Sequence, residues 1–464
     1  MAEELDPPGA ERSGAALERE LYWAEETTSL ATMGAQELRD PSQRAADRLT
    51  VSMATPAEGG HLLLPSPDAA TVRPAARRRR RAGRDPGRPG GRSGGRGRAT
   101  ACRAGGAGER PAKRRMRIAV CHAQTPFVRG GAETHTESLV RALRAAGHDA
   151  EMVTVAGKWY PAAELLHQMA VWRSLDIAES NGLPIDAVVA LKFPAYLVPH
   201  ERKIVWLIHQ HRSAYELWEH PEFADLSRQE EGPVVRDMIH QSDRIALSEA
   251  KRVFTNSRNV QDRLWNSIRV PSEVLYHHSP ISEALLGLEA GPYGDSIVFP
   301  SRLEALKRQS LAVEAMRHVR TGVRLVLVGS GPDEPAIREQ IRSLGLEDRV
   351  SLKVGLTDED LHRLYLGALG VYYGPFDEDY GYVTLEGFAA KRPVVTLDDS
   401  GGPLELVTDG ETGLVAPPRP EAIAEALDRL FADRALVARM GTEGNERLRA
   451  TVPAWPEVVA RLLD

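Results

Sequence analysis

Two glutamates eight positions apart, Glu378 and Glu386, stand in the segment Tyr373-Gly-Pro-Phe-Asp-Glu-Asp-Tyr-Gly-Tyr-Val-Thr-Leu-Glu386. An apolar run ends at Tyr373, a polar loop containing a glycine follows, and a helical pattern starts near Tyr382. Glu378 therefore falls in the loop and Glu386 one turn inside the helix. The first amides of such a helix, around Gly381, Tyr382 and Val383, have no intrahelical partner and form a place for an anion. A carboxylate beside an anion is repulsive unless it points at hydroxyl groups. A nucleotide-diphosphate sugar meets both demands, with diphosphate on the amides, sugar hydroxyls on Glu378 and ribose hydroxyls on Glu386. The same spacing also suits an exposed acidic loop followed by a helix-stabilising glutamate.

Breaking a sugar–phosphate bond needs the charge on the departing diphosphate neutralised, and two cations do this. Arg302 and Lys307, just after the apolar run that ends at Phe299, supply them if their loop faces the same site. A surface arginine and a helix-start lysine are the plain alternative, but a lysine near a helix N-terminus is unfavourable unless an anion is present. In Arg129-Gly130-Gly131-Ala132-Glu133 two glycines permit close backbone approach to a phosphate or a sugar, or simply make a tight turn. The run Val205-Trp-Leu-Ile-His209-Gln-His211 ends a strand in histidine, where an imidazole can hydrogen-bond a sugar hydroxyl or orient an acceptor. His209 and His211 have a spacing that two zinc ligands adopt, but no third ligand accompanies them. His209 ranks above His211, and His277-His278 is read as packing beside the hinge. Asp377-Glu378-Asp379 matches a metal-binding Asp-x-Asp pattern, yet Arg302 and Lys307 already offer the positive charge, so no metal is expected. Gly329-x-Gly331 lacks the third glycine of a dinucleotide fingerprint and is expected as a strand-to-helix turn lining the donor pocket.

The elements that must position these residues alternate. After Met116, strand-like runs at 117–121, 151–155, 186–191, 203–208 and 252–255 are separated by helical stretches. In the first helix Leu139, Val140 and Leu143 share one face and Gly147 is the stop. A Pro/Gly-bearing stretch from Ser279 to Gly294 is the expected linker. A second series follows, with strands at 297–299, 323–328, 350–353, 370–373 and 393–396. Strands alternating with helices imply parallel sheets covered on both faces. The expected architecture is α/β: two Rossmann-like, doubly wound domains facing across a cleft, with the ligand site at the strand carboxyl ends. The expected boundaries are 1–115 for a low-complexity, disordered extension, 116–285 for the acceptor-side domain and 290–452 for the nucleotide-sugar domain. A helix at 453–464, opened by Trp455, returns to the first domain.

The chain has 464 residues, 42% hydrophobic and 27% charged, with a net charge of −6 that is unevenly spread. Residues 73–115 hold 16 Lys/Arg against Asp85 and Glu109, a net +14, while residues 116–464 carry −12. An acidic body does not read as a nucleic-acid surface, so no nucleic acid is expected as a partner. The basic tract contains Arg77-Arg78-Arg79-Arg80-Arg81 and no aromatic residue on which a base could stack. It reads as an RNA-binding or anionic-membrane tail, as a disordered leader, or as translation upstream of a true start at Met116. Residues 11–49 suit a short amphipathic helix. The acidic amino terminus is not a secretory signal, no run reaches the length of a membrane span, and two cysteines make no disulfide framework. A cytoplasmic location follows, with peripheral contact at the inner membrane face left open.

These residues carry a resemblance. Glu378 to Glu386 resembles the E-x7-E signature of the retaining glycosyltransferases of family four, which have the two-domain GT-B fold. Pro300-Ser-Arg302-Leu-Glu-Ala-Leu-Lys307 resembles that family's diphosphate clamp, and Val328-Gly-Ser-Gly331-Pro-Asp333 its glycine turn. Gly401-Gly402-Pro-Leu-Glu405 and Asp409-Gly410-Glu-Thr-Gly413 resemble its downstream motifs. The likeness covers 116–464. It implies a metal-independent, retaining hexosyltransferase with a nucleotide-diphosphate sugar as co-substrate, no other cofactor, and a glycan, lipid or small-molecule acceptor. It also implies that His209 lies close to donor sugar and acceptor, that the turn at 354–357 holds the base, and that Asn256-Ser257 is a strand-to-helix step. A nucleotide-sugar epimerase on the same fold, or an RNA- or membrane-associated protein acting through the Arg/Gly-rich tract, are the alternatives.

Overall fold

The computed structural model describes residues 114–464. The expected extension, its arginine run, Cys102 and the helix expected within 11–49 lie outside the described residues.

In chain order the first lobe holds β1 (Arg117–Gln124), β2 (Asp149–Ala156), a small antiparallel hairpin of β3 (Glu179–Ser180) and β4 (Leu183–Pro184), then β5 (Ala187–Ala190), β6 (Lys203–Leu207), β7 (Arg252–Thr255) and β8 (Glu273–Val274). The hairpin apart, these strands form one parallel sheet in the order β2-β1-β5-β6-β7-β8. The second lobe repeats the plan with β9 (Ser296–Pro300), β10 (Arg324–Val328), β11 (Val350–Lys353), β12 (Gly370–Tyr372), β13 (Val394–Leu397) and β14 (Gly413–Ala416). Its parallel order is β11-β10-β9-β12-β13-β14.

Helices fill the crossovers: α1 (Gly131–Ala145), α2 (Ala162–Ser174), α3 (Gly232–Ser248), α4 (Arg258–Ile268), α5 (Pro280–Leu286) and α6 (Gln309–Ala315). They continue as α7 (Glu334–Ser343), α8 (Asp358–Gly367), α9 (Tyr382–Ala389), α10 (Pro420–Ala432), α11 (Arg434–Thr451) and α12 (Trp455–Leu463). Because helices cover both faces, central strands read as unbroken apolar runs, and every residue of β5 is buried. Lys203 inside β6 is fully buried as well, and its ammonium is satisfied by the Tyr196 carbonyl at 3.2 Å and Glu249 at 3.0 Å.

The first lobe has a core on each sheet face. One gathers Leu139, Val140 and Leu143 of α1 with Trp455, Val458, Val459 and Leu462 of α12, so the last helix completes the first lobe. Its carboxyl end is capped by first-lobe arginines, Arg202 on the Leu463 carbonyl and Arg252 on the Arg461 carbonyl, each at 2.7 Å.

Three features depart from the sequence reading. The stretch expected as a linker contains α5, because Ser279 caps it through a 3.0 Å bond from the Ser282 amide and Pro280 fits the first helical position. Strand β8, at two residues, is too short to show a period, and β14 opens on a glycine.

In each sheet one strand marks the point where the order reverses, β1 between β2 and β5, and β9 between β10 and β12. Crossovers leave such a strand toward opposite faces, and a crevice opens beyond its carboxyl end. Among the described residues no helix is long and apolar enough to cross a membrane.

Candidate active site

The loops beyond the carboxyl ends of both sheets meet. From the first lobe come Gly130 and Gly131 after β1, Lys192 after β5 and His209 after β6. From the second come Arg302 and Lys307 after β9, and Glu378 with Gly381, Tyr382 and Val383 after β12. All of them line one cavity of about 550 Å³.

Gly130 precedes α1, and its amide donates to Glu133 Oε2 at 2.8 Å. A Cβ placed on Gly130 would stand 3.4 Å from Arg302 Nε, so the second-lobe guanidinium rests against this first-lobe turn. A Cβ on Gly131 would stand 3.7 Å from the Tyr382 ring. The two glycines thus face the two segments singled out on the other lobe.

Arg302 is placed by the glycine turn beneath it. Cβ atoms at Gly329 and Gly331 would stand 2.0 Å from the Ser301 carbonyl oxygen and 2.2 Å from that of Leu303. The Leu303 amide donates to the Ser330 carbonyl at 3.0 Å. The turn supports the Arg302 loop from below and does not line the cavity, contrary to the sequence reading.

Lys307 ends a short 3-10 turn ahead of α6, and its ammonium is hydrogen-bonded to the Glu378 carboxylate. The Glu378 loop is pinned to its own lobe by the Glu378 amide on the Ser400 carbonyl and by the Gly402 amide on the Glu378 carbonyl, both at 2.8 Å. Gly381 then takes the left-handed conformation, φ 86°, that turns the chain into α9. The free amides at the start of α9 open onto the cavity.

Glu386 sits elsewhere. It is 6% exposed and does not line the cavity; its carboxylate accepts from Ser279 Oγ at 2.8 Å and from Tyr365 Oη at 2.6 Å. Burial raises its pKa, partly offset by those two hydroxyls. Engaged by these hydroxyls, its carboxylate lies behind the cavity-lining Tyr373 and Tyr382, close enough to act on both, and does not itself form the wall where the sequence reading placed it as the ribose ligand.

His209 lines the cavity, and its Nδ1 lies 2.6 Å from the Gln210 carbonyl oxygen. That contact assigns the proton to Nδ1 and leaves Nε2 as an acceptor. Burial lowers the His209 pKa, against the pull of Asp379. His211 is outside the cavity, edge-on to Phe193 at 5.2 Å. His277 does reach the cavity, where its Nε2 is 2.6 Å from Tyr382 Oη, and it stacks on His135. The turn at 354–357 is not part of the cavity wall.

Both aspartates of the Asp-x-Asp pattern are taken up by arginines. Arg263 lies 2.7 Å from Asp377 and 2.6 Å from Asp379, and Arg212 lies 3.6 Å from Asp377. Burial works against the Asp379 carboxylate, yet Arg212, His209 and Arg263 hold its pKa well below the usual carboxylate range. Among the described residues no group of three His, Cys, Asp or Glu side chains is placed to hold a metal ion.

Sequence reasoning missed Lys192, whose ammonium stands 3.5 Å from Glu133. Glu133 in turn accepts from His122 Nε2 at 3.2 Å. Burial pushes the Glu133 carboxyl up, but His122 and Lys192 pull it down to about 2. Lys192 is the first polar residue after an apolar strand, which is the signal that found His209.

Residues 294–447 match the family model described as glycosyl transferases group 1. The second lobe is thus the part of the chain similar to group 1 glycosyl transferases. A stretch of 180 residues is 35% identical to an exopolysaccharide phosphotransferase of Streptomyces coelicolor, covering 37% of this chain and 19% of that one. Another 180-residue match, 32% identical, is to a GDP-mannose-dependent alpha-(1-6)-phosphatidylinositol monomannoside mannosyltransferase of Mycobacterium tuberculosis, over 36% of this chain and 46% of that one. The matched stretches therefore span less than half of these relatives. In fold, the chain is similar to sucrose-phosphate synthase of Thermosynechococcus elongatus, with TM-score 0.59 and 20% identity over 75% of this chain and 97% of that one. The two lobes thus form the GT-B fold expected from the resemblance. Of the residues discussed, the matched stretch carries Arg302, Lys307, Glu378 and Glu386, while Gly130, Gly131, Lys192 and His209 belong to the lobe that precedes it.

Proposed function

We propose that the protein transfers a sugar from a nucleotide-diphosphate sugar to an acceptor with retention at the anomeric carbon, without requiring a metal. One observation carries the reading: two cations of the second lobe, the open amides at the start of α9 and Glu378 converge on a single cavity with His209 and the Gly130-Gly131 turn opposite them. Cations and amides suit a diphosphate, and the carboxylate suits sugar hydroxyls. The group 1 family model and the GDP-mannose-dependent relative support sugar transfer from such a donor.

In this reading Arg302 and Lys307 hold the diphosphate and Glu378 a sugar hydroxyl, while His209 Nε2 accepts from a hydroxyl beside the reacting carbon. The bond from the anomeric carbon to the phosphate oxygen breaks, with its electron pair going to that oxygen. The acceptor hydroxyl attacks from the same face, and its proton passes to the leaving phosphate. The acceptor, a glycan, lipid or small molecule, enters from the first lobe. No further cofactor takes part.

The test is a panel of nucleotide sugars screened by thermal stabilisation, followed by turnover with the donor that binds. Stabilisation by one family of nucleotide sugars, and transfer that depends on an acceptor, are expected. Consumption of donor at the same rate without acceptor would point to an epimerase.

A further inference from the structure

Helix α4 of the first lobe reaches across to the loop that carries Glu378. Asn259 Nδ2 donates to the Glu378 backbone carbonyl at 2.9 Å and to Asp377 Oδ1 at 3.0 Å. One turn further, Arg263 Nη1 donates to Asp379 Oδ1 at 2.6 Å, and Nη2 bonds the Asp377 carbonyl and lies 2.7 Å from Asp377 Oδ1. A single first-lobe helix therefore holds both neighbours of Glu378 and the Glu378 backbone itself. Neither Asn259 nor Arg263 lines the cavity.

The contact is mutual. Gly401 of the second lobe has φ +69°, and a Cβ there would stand 2.5 Å from Asn259 Nδ2, so a side chain at this position would displace the amide. Glu405, also of the second lobe, accepts from the Arg258 amide at 3.0 Å, the Asn259 amide at 2.7 Å and Tyr276 Oη at 2.6 Å. That places a carboxylate from one lobe at the N-terminus of a helix in the other. An isolated surface ion pair contributes little, but Arg263 is largely buried and engages Asp377, Asp379 and Glu216 together, the geometry in which ion pairs do contribute.

We propose that Asn259 and Arg263 are positioning residues that steady Glu378 against Lys307 from the opposite lobe, adding to the bonds the loop makes within its own lobe, so that the sugar-holding carboxylate is fully fixed when the lobes are closed. The role of Glu378 rests on the nucleotide-sugar reading above; the way its loop is held does not.

Two readouts test this on the full chain, with Arg263→Met, Asn259→Ala and the conservative Arg263→Lys. The first is hydrogen exchange of the Asp377–Asp379 amides, with β10 amides as the internal reference. Exchange about tenfold faster in Arg263→Met and Asn259→Ala, unchanged β10, and partial restoration in Arg263→Lys are expected. The second is steady-state kinetics with the donor found by screening. A kcat lowered about tenfold with donor KM within about threefold is expected, because the diphosphate contacts stay intact. Unchanged exchange in the loop, equal acceleration throughout the protein, or faster loop exchange with unaltered kcat would each overturn the proposal. Should wild type turn over no nucleotide sugar, the functional reading fails, and the exchange readout still decides whether α4 holds the loop.

Discussion

Lys307 and Glu378 are hydrogen-bonded to each other, each side chain 16% exposed, so the cation proposed for a diphosphate is neutralised by the carboxylate proposed for a sugar. On the proposed function, donor binding is an exchange of partners: the diphosphate takes the ammonium and releases the carboxylate to hydroxyl groups. Glu378→Gln removes the competing charge. It should tighten binding of a free nucleoside diphosphate by about three- to tenfold while lowering turnover about a hundredfold. Calorimetric titration of the variant checks this. Weaker diphosphate binding in Glu378→Gln would show that the pair does not compete with the ligand.

Two glycines of the cavity should separate fold from binding. At Gly131 a Cβ meets the Tyr382 ring at ordinary contact distance, so Gly131→Ala should melt within a degree or so of wild type yet lose donor affinity by about tenfold. At Gly381, φ +86°, a Cβ would be 3.0 Å from Pro403 and 3.1 Å from Tyr373, so Gly381→Ala should cost about 1–3 kcal/mol. Thermal melts of both variants, with and without nucleotide, distinguish the two effects.

The cavity histidine should set the acid limb of activity. Burial keeps the His209 pKa below 6.5, so Nε2 is unprotonated at neutral pH and available as an acceptor. Falling pH protonates it, and kcat/KM should decline only below about pH 6.5. His209→Gln should lower kcat/KM by about a hundredfold and lose that limb. A pH–rate profile in which the variant keeps the wild-type acid limb would remove His209 from the reaction.

Behind Gln210 the fully buried Asp243 accepts from Tyr196 Oη and Tyr215 Oη, both at 2.8 Å, and burial raises its pKa to about 6 despite those bonds. A carboxyl raised in the folded state stabilises the fold below its ordinary value, and that contribution is lost as pH rises through the folded value. Wild type should therefore lose on the order of 3 kcal/mol relative to Asp243→Asn between about pH 4 and pH 7. Urea unfolding of both proteins across that range gives the difference directly. Parallel pH dependences would contradict it.

The architecture was legible because parallel strands are buried on both faces and show as apolar runs such as those at 187–190 and 204–207. The same rule exposed Arg302, His209 and Glu378, since each follows a run whose carboxyl end must face the cleft. Where Glu386 points was not legible, because its partners Ser279 and Tyr365 come from segments 107 and 21 positions away. Arg263 was hidden for the same reason, lying 116 positions from Asp379 on a helix whose local pattern shows only an amphipathic face. Gly329 and Gly331 were recognised as a turn, but which surface they meet depends on the close approach of the Ser301–Leu303 backbone, which spacing does not encode.

Calorimetric titration of a nucleoside diphosphate into wild type, Arg302→Ala, Lys307→Ala and the double variant tests the central claim most directly. Saturable binding by wild type, weakened about tenfold by each single change and more than additively by both, is the predicted result. Equal affinity in all four proteins, or no binding to wild type, would contradict the account.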